Sequence, residues 1–191
     1  GQWSNTTRTL GTSVTAVNDA PTLAVTTPDP TLYVQAGNAV TIDTTALIED
    51  VDLAVSSNNW NGAKLKVSRT TTPDTNDIFG ATGSTISFSG TTASGNVTRG
   101  GVTIGTYSQG SGELTITFNS TATSAYVQDT LRNLTYSNAI ITPGGLSYNS
   151  VSLTVTIDDQ NSNVTNGGTA GTGQDQGNGG KLTASGTVTV N

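Results

Sequence analysis

The residues best equipped for chemistry in this chain are carboxylates, and they are gathered rather than scattered. Glu49, Asp50 and Asp52 fall within four residues, and Asp158 and Asp159 are adjacent at the end of a strand-like stretch. Asp19 follows another such stretch, where one folded unit would give way to the next. The chain is poor in charge, with only 10% Asp, Glu, Lys and Arg, so two clusters holding five of its 13 acids depart from an even spread. Adjacent carboxylates repel, and close placement is costly unless a cation neutralises them. The chemistry that suits such clusters is calcium binding, because that hard ion takes about six to eight oxygen ligands. The competing reading is that these are solvated acids in turns, where Asp is favoured for its local hydrogen bonds. On the residues alone both readings stand. Asp74, Asp77, Asp129 and Asp175 read as ordinary surface acids, Asp129 on the polar face of a short helix.

Other chemistries lack their parts. The chain has no Cys, His or Met. That removes disulfides, the thiol nucleophile, thiolate metal sites and the commonest general base. A paired-carboxylate hydrolase would also want aromatic sugar platforms, yet Glu49 and Glu113 are the only glutamates and Trp60 is the one tryptophan in residues 19–191. The expectation is that the protein is not an enzyme. A net charge of -6 and seven basic residues spread along the chain argue against nucleic acid, which needs a cationic surface to displace counterions. No apolar run approaches the roughly 18 residues of a membrane span, so membrane insertion is not expected. The missing Met reads as a fragment or a processed chain. Trp60, between Asn59 and Asn61, supports an alternative: a carbohydrate- or protein-binding module with Trp60 as a stacking platform. A lone Trp more often packs at a sandwich edge.

The elements that must position these groups are strands. Hydrophobic residues make up 32% of the 191 residues, while Thr, Ser, Gly and Asn abound. Alternating Thr and Val suggest thin sheets with a hydroxyl-covered outer face and a lean core. Strand-like stretches are Thr12–Val17, Thr22–Thr26, Thr31–Val34, Ala39–Leu47, Lys64–Arg69 and Ser84–Phe88, then Gly101–Tyr107, Leu114–Phe118, Thr135–Asn138, Val151–Ile157 and Leu182–Val190. In Val151–Ile157, the residues Val151, Leu153, Val155 and Ile157 share one face. Thr121–Leu134 breaks the pattern. Val127, Leu131 and Leu134 lie at helical spacing and Thr123 or Ser124 could cap the start, which predicts about two helical turns crossing between two sheets. Asn161–Gly180 is nearly all small and polar and reads as a long surface loop. The fold class is therefore all-β, an antiparallel β-sandwich with one short helix.

An internal echo bears on domain organisation. Thr12–Asn18 (Thr-Ser-Val-Thr-Ala-Val-Asn) is similar to Gly186–Asn191 (Gly-Thr-Val-Thr-Val-Asn), about 175 residues later. That spacing suits a string of whole domains. Residues 1–18 would be the terminal strand of a preceding repeat or a lead-in, and residues 19–191 one full repeat.

Val17-Asn18-Asp19-Ala20-Pro21 resembles the linker motif of bacterial cadherin-like repeats, which occur in tandem in large secreted adhesins. Ile48-Glu49-Asp50-Val51-Asp52 resembles the acidic loop of those repeats, and Asn61–Val67 their following strand. Gly100–Tyr107, Val127–Tyr136 and Val155–Gln160 resemble the middle and the closing strand with its acidic tip. The resemblance spans nearly all of Val17–Asn191 in order, although the Asn161–Gly180 loop is longer and the acidic sets are shorter than those of animal cadherins. It implies a cadherin- or immunoglobulin-like sandwich. It also implies calcium held by Asp19, Glu49, Asp50, Asp52, Asp158 and Asp159 at one pole or at a domain junction. The same resemblance makes the chain an extracellular, secreted or surface repeat that stiffens a long chain and supports adhesion. Its partners would be neighbouring repeats of the same chain and, beyond them, surface glycans or proteins.

Overall fold

The computed structural model describes residue 11, residues 20–25, 38–51, 53, 59–140 and 151–159, and the backbone of 183–190. The strands are β1 (Thr22–Ala24), β2 (Val40–Thr41), β3 (Leu47–Glu49), β4 (Lys64–Arg69), β5 (Asp77–Ala81) and β6 (Ile86–Gly90). They continue with β7 (Ser94–Arg99), β8 (Val102–Gly110), β9 (Glu113–Phe118), β10 (Leu134–Asn138), β11 (Val151–Asp158) and β12 (Thr183–Val190). One helix, α1 (Ser124–Arg132), lies between β9 and β10. The fold is an all-β antiparallel sandwich with a short helix.

One layer is a seven-stranded sheet in the order β12-β11-β4-β9-β8-β7-β6. Facing it are the three-stranded sheet β2-β10-β5 and the β1-β3 ladder. The alternation in β11 works as expected: Val151, Leu153, Val155 and Ile157 are buried while Ser152 is exposed. Leu65 and Val67 from β4, and Leu114, Ile116 and Phe118 from β9, join them in the core. Phe79 of β5 and Tyr136 of β10 pack into that core from the opposite layer, their rings 5.7 Å apart.

Two tight hairpins organise the large sheet. Gly100-Gly101 joins β7 to β8 and Ser111-Gly112 joins β8 to β9, with all four residues at positive φ. Two-residue turns of that kind match the twist of paired strands. The helix behaves as its spacing predicts. Thr123 caps it, its hydroxyl accepting from Tyr126 N, and Val127 and Leu131 are buried. Leu134, expected on the same helical stripe, instead opens β10, where it is equally buried. Helix α1 carries the chain from the seven-stranded to the three-stranded sheet, so it closes one end of the sandwich.

Some expectations change. Ala39–Leu47, expected as one strand, divides into β2 and β3. Between them Asp43 Oδ1 accepts from Thr45 N at 2.7 Å and from Thr45 Oγ1 at 2.9 Å, a local turn that competes with strand pairing. Strands β5 and β7 escaped the reading because Gly80, Gly95 and flanking polar residues dilute their alternation. The expected strands Thr12–Val17 and Thr31–Val34 and the Asn161–Gly180 loop lie outside the described residues, as does all of 1–18 except Gly11.

Candidate functional site

The registers bring the acidic segments to one pole. Asp158 ends β11 opposite Lys64, the first residue of β4, with Asp159 just beyond. Lys64 follows the Trp60–Ala63 turn, which is anchored by Trp60 N donating to Ala122 O and Gly62 N to Phe118 O. Trp60 Nε1 in turn donates to Ser124 Oγ at the start of α1, at 3.0 Å. Ser124, Ala125 and Gln128 of α1 line a recess of about 370 Å³ together with Ile48, Glu49, Asp50 and Val51. Glu49 and Asp50 therefore share the α1 pole with Asp158 and Asp159.

Within this pole the carboxylates differ. Glu49 is exposed and pairs across the β1-β3 ladder with Thr22, whose hydroxyl donates to the Glu49 carbonyl at 3.3 Å. Asp50 is buried, and its Oδ1 accepts from Leu53 N at 2.8 Å. That bond spans three residues, the spacing of a helix cap, and Val51 and Leu53 are helical. Asp158 is half-buried and Asp159 fully buried. Asp19 and Asp52 lie outside the described residues.

The structure adds a buried carboxylate that sequence reasoning missed. Asp43 is 0% exposed and follows Ile42, whose N–H donates to Leu134 O, so it sits at the same pole. A polar residue among Val40, Ile42 and Ala46 was its only signal. The donors at this pole are carboxylate oxygens, which suit a hard cation such as calcium and not a soft metal. Among the described residues, no three acids converge closely enough to form a ligand set by themselves. Asp50 and Asp159 supply buried carboxylates, and any completed set draws on further donors.

Trp60 is not a surface platform. It is 0% exposed, packed in the core, with its indole N–H satisfied by Ser124.

Asp77, expected at the surface, is a buried anchor at the opposite pole. Arg69 Nε donates to its Oδ2 at 2.7 Å and Arg69 Nη2 to its Oδ1 at 2.8 Å. Tyr136 Oη and Asn138 Nδ2 donate to the same Oδ1 at 2.7 and 2.8 Å. This cluster joins β4 of the large sheet to β5 and β10 of the facing one. The hydrogen bonds to Asp77 are the largest influence holding the Arg69 guanidinium pKa above its ordinary value. Asp74, beside it, is held below the usual carboxylate value, chiefly by the Asn76 N–H and then the Asn76 side chain. Asp129 also has a partner: Arg99 Nε donates to its Oδ2 at 2.7 Å while the guanidinium lies 4.4 Å from the Tyr126 ring centre. Asp175 lies outside the described residues.

Comparison with family models, with curated proteins and with solved structures yields no match to this chain.

Proposed function

We propose that this chain is a calcium-binding structural and adhesive repeat of a large exported bacterial protein, working outside the cell as one segment of a stiff stalk. The observation that carries the reading is the placement of the chain's path against the acids. Strand β1 begins at Thr22 beside Glu49, at the acidic pole, whereas β12 runs from Thr183 opposite Asp158 to Val190 opposite Val151, at the other pole. A chain that enters at one pole and leaves at the other is suited to end-to-end concatenation. The acids then stand where the preceding unit would meet this one.

In that setting a cation would replace repulsion among Glu49, Asp50, Asp52, Asp158 and Asp159 with shared ligands, and Asp19 would contribute from the linker. Neighbouring repeats are the immediate partners. Contacts with surface glycans or proteins would belong to the array. The resemblance of Val17–Pro21, Ile48–Asp52 and Val155–Gln160 to cadherin-like repeats supports the same conclusion.

Thermal unfolding in millimolar calcium and in excess chelator tests it, alongside an Asp50→Asn/Asp52→Asn variant. Asn retains the capping acceptor of Asp50 while removing its charge. An ion present at 100 times its Kd stabilises the folded state by about 2.7 kcal/mol. For a chain of this size, that amounts to a Tm rise of roughly 5–10 °C. The expected outcome is that rise in the parent and its loss in the variant. Superimposable melts with and without calcium would remove the ion from the function.

A further inference from the structure

Among the described residues, the exposed large apolar side chains are Leu47, Val51, Ile78, Val102 and Ile140. Isolated exposed apolar residues need no explanation. Their distribution does. Among the described residues of the seven-stranded sheet, exposed positions other than Val102 are polar or glycine, as in Lys66, Asn96, Thr106, Ser108, Glu113 and Ser152. The apolar residues gather at the two ends instead. Val51 is 67% exposed at the rim of the recess that Ile48 and Ala125 line together with Glu49, Asp50, Ser124 and Gln128. Val102 is 49% exposed at the Gly100-Gly101 hairpin, which the pairing of Gly105 with Phe118 places at the same acidic pole. At the far pole, Ile140 follows β10 and Ile78 lies one residue inside the start of β5, both more than a third exposed. Leu47, on β3, is the exception.

We propose that the two poles are complementary apolar surfaces and that Val51 and Val102 of one unit pack against Ile78 and Ile140 of a neighbouring copy, without a cation. This rests on the reading of the chain as one unit of a tandem array. The occupant follows from the chain's path: β1 starts at the acidic pole, β12 ends at the other, and a β12-like sequence at Thr12–Asn18 stands directly before β1. Whatever precedes the acidic pole in an array is therefore the far pole of a similar unit. The recess of about 370 Å³ at the acidic pole is large enough to admit an aliphatic side chain such as Ile140. The contact is heterologous, with different patches meeting, so free copies associate head to tail rather than as closed dimers.

Sedimentation velocity of the intact chain in excess chelator, up to about 1 mM, reaches the effective concentration that a short tether would impose. The expected result is a sedimentation coefficient that rises with concentration for the parent and stays monomeric for Val51→Ser and for Ile140→Ser. An equimolar mixture of the two variants should regain a 1:1 dimer, because each retains the patch the other has lost. Both positions are exposed, so the variants should keep the parental Tm; Val102→Ser serves as a second acidic-pole variant should Val51→Ser melt early. A parent that stays monomeric throughout, variants that still associate, or a mixture that fails to dimerise would each overturn the proposal. Calcium melts on the same samples separate the two ideas. Retained calcium stabilisation without association sinks only the apolar contact, and association in chelator without a calcium response sinks only the cation.

Discussion

Asp77 is the residue on which the two layers are tied. Its carboxylate accepts from Arg69, Tyr136 and Asn138, with no exposure of its own side chain, while Arg69 is about a quarter exposed. Removing one partner of a buried pair leaves an uncompensated charge and costs about 3–5 kcal/mol. Because Arg69 retains access to water, Asp77→Ala is expected near the lower end, as a shift in urea midpoint with unchanged slope. Tyr136→Phe removes the hydroxyl that donates to Asp77 Oδ1 and accepts from Arg69 Nη2, and should cost about 1.5–3 kcal/mol. Asp74 makes a pH prediction. Its folded pKa is depressed, so the stability it contributes is fully present above its unfolded value near 4 and is lost as pH falls through the lower folded value. Asp74→Asn should therefore lower the urea midpoint by more at pH 6 than at pH 2–3. A gap of the same size at both would show that the charge is not what matters. None of this was legible in sequence. Arg69, Asp74, Asp77 and Asn138 are common residue types whose roles depend on strands that pair across long separations.

At the scale of elements, α1 and the tight sheet junctions behave differently. The helix is local: its cap, its buried stripe at Val127 and Leu131 and its length were readable from spacing between Thr121 and Leu134. Thr123→Ala is expected to cost about 1 kcal/mol by loss of the cap, measurable by chemical denaturation. Gly105, by contrast, is a sheet residue chosen by a neighbour. A Cβ there would stand 2.5 Å from the Thr117 carbonyl oxygen and 3.1 Å from the Phe118 Cα, both backbone atoms of β9 that cannot yield without opening the pair. Gly105→Ala should cost about 3 kcal/mol. Near-parental stability would mean that β8 and β9 separate more easily than their register suggests. The strands missed in the reading, β5 and β7, are those in which glycine and polar residues interrupt alternation. They are held by their partners, β7 by β6 and β8 on its two sides and β5 by β10 on one, rather than by their own pattern.

At the scale of the whole molecule, the path from Thr22 at the acidic pole to Val190 at the far pole decides how tension would act. Eight residues of β12 pair with β11 along that axis. Pulling between the ends loads this ladder in shear, so its hydrogen bonds must yield together. Pulling apart Thr22 and Thr183, both at the acidic pole, would bypass that ladder. Single-molecule pulling is expected to show a higher unfolding force in the first geometry, and equal forces would remove β11–β12 as the resisting element.

By itself the sequence determined the all-β class, the alternating strands β4, β9 and β11, the helix between two sheets, and the two acidic segments. These are patterns of period two or 3.6, or runs of like charge, and they are set by neighbours a few residues away. Only the tertiary structure decided that Glu49–Asp50 and Asp158–Asp159 share a pole and that Asp43 joins them there. It also decided that Trp60 is core rather than surface, and that Asp77 is a buried tie. Those outcomes depend on which strands lie beside one another, and strand pairing across a hundred residues is settled by burial of the whole core, which no local window of sequence contains.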